Sequence, residues 1–63
     1  MMDVFDVLSA RILEKANHLS EATATGNFES FEEYKKTCGE IRGLLIARGY
    51  VLGLKQEMEQ KDD

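Results

Sequence analysis

Apolar residues in the first third of the chain recur at helical intervals. Phe5, Leu8, Ile12, Ala16 and Leu19 stand three or four residues apart, and Arg11, Glu14, Lys15 and Glu21 fall mostly between them. Such spacing marks a helix with one buried stripe. Asp3 is a natural N-cap with Asp6 three residues on, and Met2 and Val7 are placed to form a hydrophobic staple. Thr23, Thr25, Gly26 and Asn27 then break the pattern, glycine being the common residue just past a helix end. Ser30 and Glu33 have the spacing of a capping box, with acidic residues at the positive end of a new helix. The pattern predicts a helix over about 4–23, a turn over 24–30 and a second helix over about 31–60. Two helices on a short connection make an all-α antiparallel hairpin. At 1.5 Å per residue the helices are about 30 and 45 Å long, so the chain from about Lys55 onward is expected to project past the start of the first helix.

The second helix has a broad apolar face made by Tyr34, Ile41, Leu44, Leu45, Val51 and Leu52, which is expected to pack on the first helix. Arg48 and Lys55 point near the middle of that face. With the turn at 24–30, Arg48 is expected within about a turn of Asp6, and Lys55 near Asp3. Ion pairs there would fix the register, with the aliphatic stems packed over apolar neighbours. The competing role for Arg48 is contact with a partner protein. Cys38, on the shoulder of the face, reads as a small buried hydrophobe.

Gly39, Gly43, Gly49 and Gly53 lie in the same helix, and they hold four of the chain's five glycines. At about 100° per residue they fall within an arc of about 120°, roughly opposite the core face. Ile46 and Tyr50 share that arc, and Leu54 lies at its edge. Each glycine costs a helix about 0.8–1 kcal/mol relative to alanine. Two readings compete. In one, the glycines are tolerated on a solvent face, or the helix breaks near Gly49. In the other, Gly39, Gly43, Ile46, Gly49, Tyr50 and Gly53 form a shallow groove where another helix approaches, with Ile46 and Tyr50 as anchors. The Gly-x-x-x-Gly spacing occurs twice, but its established setting is the membrane helix. The exposed isoleucine and tyrosine in the same stripe favour the groove.

Composition sharpens this picture. The chain has 63 residues, enough for one domain and marginal for a core that stands alone. Its single cysteine excludes an internal disulfide, and one histidine without a C-x-x-C supplies too few ligands for structural zinc. A partner chain is therefore the expected source of extra stability, as a homo-oligomer or on a larger assembly. The formal net charge of −4, with acidic residues spread along the chain, argues against nucleic acid as a partner. No run approaches the ~20 apolar residues of a membrane span. The start, MMDVFDVL, lacks the basic region and long apolar run of a signal peptide. A lone cysteine fits synthesis in a reducing cytoplasm.

Candidate chemistry adds little. His18 has no serine or cysteine partner at a catalytic spacing. The clusters Glu29/Glu32/Glu33 and Glu57/Glu59/Asp62/Asp63 lack the calcium-loop pattern. The glycines lie inside a helix and not in a phosphate-binding loop. The residues thus indicate no catalytic, cofactor-binding or metal site, and the expected activity is protein–protein interaction.

The run FEEYKKTCGEIRGL, followed by an apolar helix and the acidic end MEQKDD, resembles small open reading frames of tailed bacteriophages. The resemblance covers the second half of the chain and rests most on Tyr34 and Cys38–Leu44. It transfers no catalytic residue. It implies a phage setting, with synthesis in the host cytoplasm. There, a small acidic hairpin either packs in several copies on a head or portal-type component of the virion, or binds and redirects a host protein.

Overall fold

The computed structural model describes residues 2–26 and 28–60. It contains two α-helices, α1 (Val4–Thr25) and α2 (Phe31–Gln60), packed as a hairpin with the second helix longer. The expected bounds of α2 are met. α1 runs two residues further than its residue types suggest, because Thr23 and Thr25 donate their hydroxyls to the carbonyls of Leu19 and Ala22, at 2.9 and 2.8 Å. Gly26 ends α1 in the left-handed region at φ 71°, and its N–H donates to the Thr23 carbonyl. A residue with a β-carbon resists that conformation.

Both helix starts are capped as the sequence indicates. The Asp6 N–H donates to the Asp3 carboxylate at 2.9 Å. At α2 the Glu33 N–H donates to the Ser30 hydroxyl at 3.1 Å, while the Glu33 carboxylate accepts from the Glu29 N–H at 3.3 Å. The box therefore closes one residue further out than its usual form. Met2 and Val7 are both exposed, so no buried staple accompanies the first cap.

The seam of α1 differs from the expected stripe. Asp6 and Leu13 are half-buried beside a central line of Phe5, Ser9, Ile12, Ala16, Leu19 and Thr23, all turned at least partly from solvent, and Leu8 is 46% exposed. The spacing is the four-three alternation of a heptad seam, with a small residue at every seventh position. Ser9 and Ala16 are the two buried residues among those described, at 7% and 2% exposure. Small side chains there let the helices approach closely. The Ser9 hydroxyl avoids a desolvation cost by donating to the Asp6 carbonyl at 3.1 Å.

α2 meets this seam with Thr37, Cys38, Ile41, Leu44, Ala47, Arg48, Val51, Leu52 and Lys55, all half-buried. Tyr34 and Leu45, expected in the core face, are 40% and 46% exposed. They sit on its flank because two helices close over only a narrow strip, and a third element is needed to cover the shoulders. Cys38 is half-buried for the same reason. At the turn, Phe28, Phe31 and Tyr34 form an aromatic cluster. Phe28 meets Tyr34 edge-on at 5.7 Å between centroids, and Phe31 stacks on Tyr34 at 6.1 Å. This cluster, absent from the sequence expectation, anchors the connection to the first turn of α2.

Candidate interaction surface

Lys55 closes the open end of the hairpin. Its ammonium donates to the Asp6 carboxylate at 2.6 Å and lies 3.6 Å from Asp3 and 3.9 Å from Glu59. The pairing with Asp3 is as expected. The partner of Asp6, however, is Lys55 and not Arg48. Helical side chains lean toward their own N-terminus. In an antiparallel pair both leaning chains shift the meeting point, so the residue that reaches Asp6 lies further along α2 than backbone levels alone suggest. The hydrogen bond from Lys55 holds the Asp6 carboxyl below 3.8, against the opposing effect of its partial burial. The same bond lifts Lys55 above 10.5. Asp3, Phe5, Lys55, Met58 and Glu59 line one shallow depression here, and Lys55, where the overhang was expected to begin, still reaches the first turn of α1.

Arg48 instead lies along the seam with its Nε buried and without a hydrogen-bond partner. Its stem fills the seam where a larger apolar residue would otherwise sit. Tyr34, on the other shoulder, has its phenol pushed above the ordinary 10.0 by hydrogen bonding with the neighbouring Cys38 side chain. His18 is exposed on α1 beside Arg11, Glu14 and Lys15. Among the described residues no group of three or more His, Cys, Asp and Glu side chains is arranged to hold a metal ion. No helix among them is long and apolar enough to cross a membrane.

The six residues of the expected groove share one exposed surface. Gly39, Gly43, Gly49 and Gly53 are all exposed, with Ile46 at 50% and Tyr50 at 75% exposure. α2 does not break at Gly49; it continues helical to Gln60. A methyl group added at any of the four glycines would meet nothing within 4 Å. The hairpin's own packing therefore does not require them. α1 covers one side of α2 and leaves the glycine side open.

This open side has an unusual composition. From Gly43 to Leu54 the sequence is GLLIARGYVLGL, and its single charged residue, Arg48, lies on the seam. About three turns of α2 thus turn only glycine and apolar or tyrosine side chains outward. α1 does the opposite, exposing Arg11, Glu14, Lys15, His18 and Glu21. A helix that is apolar on every side is ordinarily an inner element, and one with a charged face an outer element. Val4, Leu45, Leu54 and Met58 add to the exposed apolar surface at 72, 46, 48 and 51%. The periodicity of α2 had exposed the glycine arc and set Arg48 on the face toward α1; the structure bears out both, with Arg48 half-buried and the arc exposed.

No protein-family model, curated protein or solved structure matches the chain.

Proposed function

We propose that the chain is a non-enzymatic protein that acts by protein–protein interaction through the open side of α2. The carrying observation is the unbroken run from Gly43 to Leu54 with no charge on its outer face. Surface area supports the same reading. The chain exposes 5186 Å², whereas a compact monomer of 7.1 kDa exposes roughly 4100 Å². The difference is comparable to the roughly 800 Å² that each partner buries in a standard interface. The Cα radius of gyration of 15.0 Å likewise exceeds the roughly 11 Å of a compact domain this size.

Together with the phage-like second half, these features favour a small virion component that packs in several copies on a larger head or portal-type structure. The test is quantitative mass spectrometry of purified particles of the encoding phage. The proposal requires a fixed copy number per particle, and it requires that Ile46→Glu abolish incorporation while the hairpin stays helical. Absence from particles would overturn the virion assignment and point to a regulator that binds a host protein during infection.

A further inference from the structure

We propose that the occupant of the open face of α2 is the same face of a second copy, running antiparallel about a two-fold axis at Ile46. This rests on reading that face as a docking surface, and it goes further by fixing the occupant and its direction. The basis is a symmetry in the order of residues. Counting outward from Ile46, both directions meet glycine at the third residue (Gly43, Gly49) and glycine again at the seventh (Gly39, Gly53). At the eleventh they meet opposite charges, Lys35 on one side and Glu57 on the other. All of these positions lie within about 60° of the direction of Ile46 on the helix, and all are exposed.

A two-fold interface requires that if one residue touches a second, the second touches the first on the other copy. The antiparallel arrangement meets this condition with matched chemistry. Ile46 faces Ile46, Gly43 and Gly39 stand level with Gly49 and Gly53 of the second copy, and each Lys35 stands level with a Glu57 at both ends of the contact. The parallel arrangement would instead set Lys35 on Lys35 and Glu57 on Glu57, and like charges disfavour it.

Side-chain bulk fits the same direction. Tyr50 and Arg42 stand four residues to either side of Ile46 and on opposite flanks of it. In an antiparallel pair like flanks meet. Tyr50 then lies over Gly39 and Gly43 of the second copy, and Arg42 over Gly49 and Gly53. Each glycine pair becomes the hollow that receives one large side chain, as ridge-into-groove packing demands. α1 stays on the far side of each copy, with its charged face in water.

Two measurements test this. The first is the distance between spin labels at Gln56→Cys in a Cys38→Ser background, repeated with Lys36→Cys. Both sites are exposed and lie ten residues from Ile46 in sequence. The antiparallel pair sets like labels about 30 Å apart along the axis in each sample. Distances below about 20 Å in both would mean a parallel pair, whose axes are about 8–10 Å apart, and would overturn the proposal. The second is the dimer dissociation constant of charge variants. Lys35→Glu and Glu57→Lys should each weaken pairing severalfold, and the double variant should restore it; failure of rescue also overturns the proposal. A chain that is monomeric yet present at fixed copy number in particles would refute self-pairing and leave the interaction reading standing. An antiparallel dimer absent from particles would support self-pairing and refute the virion assignment.

Discussion

Ala16 is the most buried residue among those described, at 2% exposure, and its size matters more than its apolarity. Ala16→Leu should therefore destabilise the hairpin by about 1–3 kcal/mol through overpacking, although leucine is a good helix former. The apolar count alone had favoured Leu8 over Ser9 on this seam. The structure selects Ser9 because close approach rewards a small side chain whose hydroxyl can bond locally. The same logic separates two residues that looked equivalent in sequence. Ile41 is half-buried on the seam, while Leu45 is 46% exposed. Both large-to-small changes would cost about 2–5 kcal/mol in a full core, but here Leu45→Ala should cost about half as much as Ile41→Ala. Thermal melts of the two variants give the ranking, and a larger loss at Leu45 would contradict the seam. Cys38, half-buried beside Tyr34, should label more slowly in the native protein than in denaturant. Equal rates would place it at the surface.

Element boundaries were legible in the sequence because capping chemistry is local. Asp3, Ser30 and Gly26 announce the helix ends from residues within one turn of them. The pairing of Asp6 was not legible, because it depends on how far side chains lean in an antiparallel pair. That ion pair sets the pH response of the contact between α1 and α2. Asp6 titrates below its ordinary 3.8 in the folded hairpin. Its contribution to stability is therefore present above 3.8 and is lost as pH falls through the lowered folded value. Lys55 titrates above 10.5, so its contribution holds below 10.5 and is lost as pH rises through the raised value. The advantage of the wild type over Lys55→Met in thermal midpoint should thus be a plateau between these limits that shrinks on both sides. An advantage independent of pH would mean that packing of the lysine stem, and not its charge, joins the helices.

The whole molecule is a hairpin without an independent core. No large apolar side chain among the described residues is fully buried, and from Gly43 to Leu54 the longer helix carries no charge on the side that α1 leaves open. The helical hairpin itself follows from periodicity. The partner surface was legible as a glycine arc opposite Arg48, but how much of its flank α1 leaves open, as at Leu45, depends on how narrow a strip two helices close over. Glycine inside a helix costs about 0.8–1 kcal/mol relative to alanine. On a face that meets only water, replacing Gly49 with leucine should recover most of that, since nothing lies within 4 Å to clash. On a face that receives another helix, the new side chain should cost about 1–3 kcal/mol at the contact. The direct measurement is the solution mass of wild type and Gly49→Leu by sedimentation at matched concentration, with helicity recorded on the same samples. The account predicts a wild type heavier than the 7.1 kDa monomer and a Gly49→Leu variant that is equally helical but shifted toward monomer. A monomeric wild type, or a variant that associates as well and melts higher, would contradict it.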